Sequence, residues 1–228
     1  MDISETILQR RSIRAFKQES VPQGVLKEIL EKAVRSPSWA NTQPWEFIVV
    51  GGQITRDIAK ACEEKLAAGG AIKSEIPAPP GFPEPFDTRR REIGKKMFDV
   101  LGLDREDKEQ RMKWGLRGFK FFDAPNVIFI LTDRSFYAQE AGQNVWPLFD
   151  CGLVAQNIML LAVKYGLGTI PEIQAVMLPD VLRAKLNIPI NKIIVFGIAI
   201  GYPDPDHPSS KFRSDRDPVD AVTKWYGF

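Results

Sequence analysis

Three arginines and a serine lie within five positions near the start of the chain: Arg10, Arg11, Ser12 and Arg14. If this segment is extended, Arg10, Ser12 and Arg14 face one side, because alternate residues of an extended chain share a side. Guanidinium groups bind phosphate oxygens in pairs, and a serine hydroxyl adds a further donor, so the pattern indicates a phosphate clamp. It also suits a solvated basic surface at a helix end, where cations offset the helix dipole.

A second polar segment runs from Pro37 to Trp45, with the sequence Pro-Ser-Trp-Ala-Asn-Thr-Gln-Pro-Trp. Its side chains supply both donors and acceptors, and its tryptophans supply flat apolar surface. The pyrimidine edge of an isoalloxazine ring alternates acceptors and donors, which Asn and Gln amides can satisfy. The segment therefore fits a cradle for a flat heterocycle. It fits equally well a turn between two prolines that is capped by small polar residues.

A third group of cations, Lys211, Arg213 and Arg216, follows Gly201-Tyr202-Pro203 near the end of the chain. It comes after an apolar run that predicts a buried strand. A loop at that point could bring a second cation to the phosphate that Arg10 would bind. Basic residues alternating with Ser and Asp are also common on ordinary protein surfaces.

Hydrophobic periodicity predicts the elements that must position these groups. The predicted helices are 2–9, 22–34, 54–66, 87–101, 104–120, 148–165 and 179–186, and the predicted strands are 46–50, 126–131, 167–173 and 192–200. Strands separated by helices predict an α+β or α/β domain of three layers. A doubly wound dinucleotide fold is disfavoured, because Gly166-Leu167-Gly168 follows a helix and enters a strand, the reverse of the required order. No phosphate-binding P-loop motif occurs in the sequence.

We expect a single domain, residues 1–228, with two additions. Residues 75–86 contain five prolines, which exclude a helix or a central strand, so residues 70–120 are predicted to leave the core as a lid or insertion. The helix 148–165 is apolar around most of its surface, which predicts burial on nearly all sides and favours a subunit interface. The tail, residues 217–228, ends in aromatic residues and is predicted to wrap a partner subunit, so we expect a homodimer.

Composition argues against several other classes of protein. A net charge of +2 with dispersed arginines gives little support to nucleic-acid binding. Cys62 and Cys151 lie in unrelated contexts, which favours reduced thiols. We find no signal peptide and no unbroken apolar run long enough for a membrane span, so we expect a soluble, cytoplasmic protein. The single histidine, His207, makes histidine-dependent hydrolysis or a multi-histidine metal site very unfavourable.

Three segments, in order along the chain, resemble the FMN-dependent nitroreductase family. They are Arg-Arg-Ser-Ile-Arg at 10–14, the polar segment at 37–45, and Gly-Leu-Gly-Thr-Ile-Pro at 166–171 followed by Gly-Tyr-Pro and a basic loop. The proline-rich stretch followed by Arg89-Arg90-Arg91 is most similar to the nitrobenzoate reductase branch. The resemblance implies an α+β fold, a three-layer α/β/α sandwich around a mixed, mostly antiparallel sheet.

The resemblance also implies roles for particular residues. Arg10, Ser12 and Arg14 would hold the FMN phosphate and ribityl side, and Arg11 would contribute further contacts. Arg216, or else Arg213 or Lys211, would complete the phosphate clamp. Residues that would approach the ring, partly from the other subunit, are Pro37, Ser38, Asn41 and Gln43, and those that would line its far face are Pro171, Glu172 and Ile173. Family members often have Thr or Gly where this chain has Glu172-Ile173-Gln174.

The implied activity is ping-pong hydride transfer from NAD(P)H through flavin N5 to nitroaromatic or quinone-like acceptors, aromatic acids included. The cofactor carries this chemistry, so no side chain is assigned as a catalytic acid or base. One of Arg89, Arg90 and Arg91 could pair with a substrate carboxylate, or all three could be solvated helix surface. Alternatives on the same scaffold are a reductive dehalogenase, disfavoured because residues 70–120 contain no tyrosine, and a flavin-fragmenting enzyme. A further alternative is a flavin-binding sensor without turnover.

Overall fold

The computed structural model describes residues 2–139 and 142–228. The helices are α1 (Ile3–Gln9), α2 (Gln23–Ala33), α3 (Gln53–Ala67), α4 (Phe86–Leu101), α5 (Lys108–Leu116), α6 (Arg134–Tyr137), α7 (Trp146–Lys164), α8 (Pro179–Leu186) and α9 (Val219–Val222). The strands are β1 (Glu46–Gly51), β2 (Asn126–Asp133), β3 (Ala138–Gln139), β4 (Gly142–Gln143), β5 (Gly168–Glu172) and β6 (Lys192–Gly201). Short 3-10 helices lie at Trp39–Asn41, Arg117–Asp123, Gln174–Val176 and Pro208–Lys211.

The core is an antiparallel sheet of order β1-β2-β6-β5, covered by helices on both faces. The central strand β2 shows why there are three layers, because its buried side chains alternate between two apolar clusters. Val127, Phe129 and Leu131 pack in the cluster that includes residues of α3 and α8. Ile128 and Ile130 pack in the cluster that includes residues of α2 and α7. The predicted three-layer α+β fold is confirmed.

Helix α7 is the longest helix of the described residues and covers one face of the sheet. By length and composition alone it could cross a membrane, with 19 residues and a mean hydropathy of 1.4. It contacts α2 and strands of the sheet, which is the packing of a core helix. Burial on nearly all sides was expected from the sequence, but the single chain leaves Trp146 53% exposed and Phe149 57% exposed.

Glu75 fixes the proline-rich segment to the core. Residues 70–85 form no helix or strand, whereas the sequence predicted this for residues 75–86, because α4 begins one residue earlier, at Phe86. Within them, the Glu75 carboxylate accepts hydrogen bonds from Arg134 Nη2 at 2.5 Å, Arg183 Nη2 at 2.7 Å and the Ile194 N–H at 3.0 Å. Two charge-assisted bonds and one backbone bond satisfy a side chain that is only 11% exposed. The segment therefore starts from a defined anchor at the sheet.

The predicted helix 104–120 is wrong at both ends, because α5 begins at Lys108 and ends at Leu116. The chain then enters a left-handed turn in which Phe121, Phe122 and Asp123 have φ of 56°, 51° and 60°. This conformation costs roughly 1–2 kcal/mol per residue. Burial of two phenylalanines offsets that cost: Phe121 is fully buried, and the Phe122 ring lies 5.7 Å from that of Trp114.

Candidate functional site

The N-terminal arginine segment is extended and lies beside the β5 edge of the sheet. The Ile13 N–H donates to the Thr169 carbonyl at 3.0 Å, and Ser12 and Thr169 form a parallel bridge. Further along, the Lys17 N–H donates to the Tyr202 carbonyl at 2.8 Å. A Cβ on Gly168 would come within 2.6 Å of the Ile13 side chain, so this close approach requires glycine. The extended conformation assumed for residues 10–14 is therefore present.

The two basic segments from opposite ends of the chain meet at this edge. Arg11 Nη2 donates to the Ser210 carbonyl at 3.1 Å. Burial lowers the pKa of Arg10 from its ordinary value, and Arg216 lowers it further. The direct contacts between the two segments are the Arg11–Ser210 hydrogen bond and the placement of Arg14 over the Phe212 ring.

A second arginine of the C-terminal loop, Arg213, influences the pKa of Arg11. Burial lowers the pKa of Arg11, and the nearby positive charge of Arg213 lowers it further. The Arg11 Nε atom is buried and has no hydrogen-bond partner among the described residues. Neighbouring like charges and an unsatisfied buried donor are costly unless an anion binds between them. This arrangement is suited to a phosphate.

Arg14, the last arginine of the N-terminal segment, contacts the C-terminal loop through Phe212. Its Nη1 donates to the Ser12 carbonyl at 3.3 Å, and its guanidinium carbon lies 5.8 Å from the centre of the Phe212 ring. Burial lowers the pKa of Arg14, and the carboxyl of Glu172 opposes that shift. Arg14 is thus the one residue of this segment coupled to an acid of β5.

Glu172 differs from its neighbours at the end of β5. Pro171 and Ile173 are exposed, the latter 63%, whereas Glu172 is 5% exposed. The exposed side chains of Pro171 and Ile173 could contact a flavin ring as predicted. The side chain of Glu172 is buried, so this residue could contact a ring only through its backbone. Burial raises the pKa of Glu172 to about 9, although Arg14 opposes the shift. The sequence carried a signal for this buried acid: strand alternation with the inward Ile170 places Glu172 inward as well.

The polar segment from Pro37 to Trp45 forms a tight loop beside α7. The Ser38 Oγ accepts from the Gln43 N–H at 2.9 Å, and Gln43 Nε2 donates to the Asn41 carbonyl at 3.2 Å. Asn41 and Gln43 have φ of 55° and 48°, in the left-handed region. The Trp39 N–H donates to Asp150 Oδ2 of α7 at 3.1 Å, which attaches the loop to the helix. Both the turn and the exposed polar groups expected of a cradle are therefore present.

The cradle and the arginines line different cavities of the single chain. One cavity of about 610 Å³ lies against the loop, and its lining residues are Pro37, Ser38, Trp39, Trp146, Phe149, Asp150 and Leu153. Another of about 550 Å³ lies between α4 and residues 212–222, and its lining includes Arg89, Arg90, Lys96, Ser214 and Arg216. Neither lining contains residues of the other predicted group. The cradle and Arg216 of the clamp therefore line separate cavities of the single chain.

Carboxylates of the same chain neutralise the three arginines of α4. Arg89 pairs with Asp217, and Arg90 pairs with Asp87 at 2.7 Å. Arg91 pairs with Glu84 at 3.0 Å and with Asp87 at 3.1 Å. Only Arg89 and Arg90 line the 550 Å³ cavity. The structure therefore separates Arg91 from the two arginines that a ligand in this cavity could reach.

His207 supports the loop that carries the C-terminal cations. Its Nε2 lies 3.2 Å from Arg117 Nη1 and its Nδ1 lies 2.7 Å from Ser209 Oγ. Nδ1 also accepts from the Ser209 N–H at 3.1 Å, so the ring caps the short helix that follows it. Burial and, secondly, Arg117 lower the pKa of His207. Among the described positions, no group of three or more His, Cys, Asp or Glu could hold a metal ion.

Residues 7–202 match the model of the Nitroreductase family. The chain belongs to this family. The matched span contains Arg10–Arg14, the 37–45 loop and β5, and it ends before Arg213 and Arg216. The resemblance stated from the sequence motifs is confirmed, and so is the prediction that the chain is an enzyme of this family.

Individual relatives agree with the family match. The chain is 31% identical over 215 residues to 4-nitrobenzoate reductase of Nocardioides sp. (strain LMS-CY), which covers 92% of this chain and 84% of that protein. It is 33% identical over 226 residues to nitrobenzene nitroreductase of Ectopseudomonas oleovorans, covering 97% and 95%. The crystal structure of the FMN and NADPH-dependent nitroreductase NfnB from Sphigopyxis sp. strain HMH superposes over the full length of both chains, with a TM-score of 0.92 and 31% identity. The nitroreductase fold follows from this superposition.

Proposed function

We propose that the protein is an FMN-dependent NAD(P)H nitroreductase that works as a homodimer. The observation that supports this most directly is the junction of the two basic segments at one edge of the sheet, where Arg11 donates to the Ser210 carbonyl and Arg14 lies over the Phe212 ring. These residues come from opposite ends of a chain whose structural relative NfnB is FMN and NADPH-dependent.

The charges at this edge suit the phosphate of FMN. A phosphate placed beside Arg10 and Arg216 would replace their mutual repulsion with charge-assisted hydrogen bonds. In this proposal Arg10, Ser12 and Arg14 hold the phosphate and ribityl side, while Arg213 and Arg216 complete the clamp.

The ring side of the site is proposed to be shared between two subunits. Pro171 and Ile173 would line one face of the ring, and the partner's 37–45 loop, with Pro37, Ser38, Asn41 and Gln43, would approach the other side. The separation of cradle and clamp into two cavities of one chain supports this arrangement, since a second copy supplies the missing half.

Exposed aromatic residues beside the cradle support the same dimer. The ring of Trp146 lies 6.0 Å from that of Trp39 and 6.2 Å from that of Phe149, and all three side chains are more than half exposed. Contiguous apolar surface of this kind marks interaction sites. In the C-terminal tail, 217–228, Trp225 and Tyr226 are 64% and 80% exposed, and the tail is proposed to wrap the partner.

When bound, FMN would supply the redox chemistry, namely hydride transfer from NAD(P)H and reduction of a nitroaromatic or quinone-like acceptor in ping-pong order. The chain binds and orients the reactants, and none of its side chains is proposed to transfer a proton. Arg89 and Arg90 would orient the carboxylate of an aromatic acid at the cavity mouth. To do so they would exchange Asp217 and Asp87 for the substrate carboxylate.

The test is an anaerobic titration followed by absorbance. The purified protein should be yellow, should bleach when NADPH is added, and should regain its colour when a nitroarene follows. Initial rates at several fixed acceptor concentrations should give parallel double-reciprocal lines. A colourless protein that takes up no added FMN would contradict the proposal. Bleaching that no acceptor reverses would indicate a sensor rather than an enzyme.

A further inference from the structure

Glu172 is a buried acid without a partner. It is 5% exposed, and neither carboxylate oxygen has a hydrogen-bond partner among the described residues. Directly opposed residues of a sheet share a face, and the residue opposite Glu172 on β6 is Gly197. A Cβ on Gly197 would meet Ala175 and Phe129, so this face is apolar. An ionised carboxylate in such a place loses hydration that nothing replaces.

Arg14 is the charged group that acts on this acid. The Ile13–Thr169 hydrogen bond and the Ser12–Thr169 bridge set Arg14 alongside β5, the strand that ends at Glu172, and its positive charge opposes the rise in the pKa of that acid. The elements that pack against Glu172 from the sheet side contribute the uncharged Gly197, Ala175 and Phe129. Arg14 itself donates to a backbone carbonyl rather than to Glu172. The guanidinium is therefore close enough to be influenced, yet it is not consumed by an ion pair.

We propose that Glu172 is a positioning residue for Arg14: as a neutral acid it leaves the full positive charge of that guanidinium for the anionic side of FMN, and on ionising it would draw that charge to itself. This inference rests on the proposed function, because it requires FMN to bind at Arg14. It assigns Glu172 an electrostatic role in place of the ring contact that the sequence implied. A neutral Gln at position 172 can perform this role, whereas an ionised Glu cannot.

FMN binding and the ionisation of Glu172 are thermodynamically linked, so the effect can be measured as a pH dependence of FMN affinity. If ionisation of Glu172 weakens FMN binding, bound FMN must equally suppress that ionisation. With a pKa of about 9 in the flavin-free protein, the apparent FMN dissociation constant should rise about fourfold between about pH 7 and about pH 9.5. Glu172→Gln keeps the shape of the side chain and cannot ionise, so its dissociation constant should stay level. Arg14→Ala should bind FMN more weakly at every pH, with a level profile, because the effect passes through Arg14.

The experiment is a fluorescence titration of FMN into the full-length protein and both variants across this pH range. A wild-type profile that is level, or a Glu172→Gln profile that parallels a sloping wild type, would overturn the inference while leaving the proposed function intact. Failure of the wild type to bind FMN at about pH 7 would instead defeat the proposed function.

A second measurement needs no variant. Near pH 9, infrared difference spectra of the wild type should show a protonated carboxyl band that grows when FMN binds. An unchanged carboxyl region would contradict the role assigned to Glu172.

Discussion

Replacing Glu172 with Gln should change how the stability of the protein depends on pH, even without flavin. The pKa of Glu172 is raised from 4.5 to about 9 by burial. Between these values the folded state holds a proton that the unfolded state has released. The free energy of unfolding of the wild type therefore falls as pH rises through this window, and the loss is complete above the folded pKa. Glu172→Gln removes the titrating group and with it this contribution.

The expected size follows from the two pKa values. Each pH unit within the window costs about 1.4 kcal/mol, so from about pH 5 to about pH 8 the wild type should lose about 4 kcal/mol relative to Glu172→Gln. Any constant difference in packing between Glu and Gln cancels in this comparison. The loss is a large part of the total stability of a typical domain, so it should be readily measured.

Urea unfolding of both flavin-free proteins at several pH values, at one protein concentration, provides the assay. The difference in unfolding free energy should grow steadily in favour of Glu172→Gln as pH rises. Parallel curves for the two proteins would refute the reasoning, because they would mean that the buried carboxyl is ionised throughout or is solvated.

Other consequences concern substrate choice, the proline-rich segment and assembly. Arg89→Ala or Arg90→Ala should lower kcat/KM for 4-nitrobenzoate about tenfold and leave nitrobenzene unchanged, with Arg91→Ala as the matched control; equal losses on both substrates exclude a carboxylate contact. Glu75→Ala should cost about 2–3 kcal/mol in urea unfolding, because Arg134 and Arg183 lose their carboxylate partner but keep backbone carbonyls; a loss under about 1 kcal/mol would show that the anchor is dispensable. Phe149→Glu should shift the protein toward monomer in sedimentation velocity, and an unchanged dimer would place the interface elsewhere.

Much of the fold could be predicted because its signals are local. The apolar run of β2 predicts a strand buried on both faces, and the structure confirms it, since every residue from Asn126 to Thr132 is buried. The extended conformation of the Arg10–Arg14 segment is an assumption at the level of the sequence, since the same residues also fit a basic helix end, and the structure shows it. The place of the C-terminal basic loop after a buried strand suggests that it meets this segment, and the family resemblance makes the suggestion specific, since no local pattern relates residues two hundred positions apart.

Other features depend on tertiary contacts that a linear pattern does not encode. The left-handed turn at Phe121–Asp123 exists because burial of aromatic rings outweighs backbone strain, whereas helical periodicity simply continued to residue 120. The pairing of Arg89 with Asp217 joins segments far apart in sequence. The family motif implies a ring contact for Glu172, whereas strand alternation with the inward Ile170 places its side chain in the core.

The most direct test of the whole account compares FMN with riboflavin, which lacks the phosphate. Dissociation constants for both should be measured for the wild type, Arg10→Ala, Arg216→Ala and the exposed control Arg35→Ala. Loss of one charge-assisted bond should weaken FMN binding by about tenfold or more in the first two variants and leave riboflavin binding unchanged. Equal weakening of both flavins, or no weakening of FMN, would contradict the claim that the two ends of the chain join to hold a flavin phosphate.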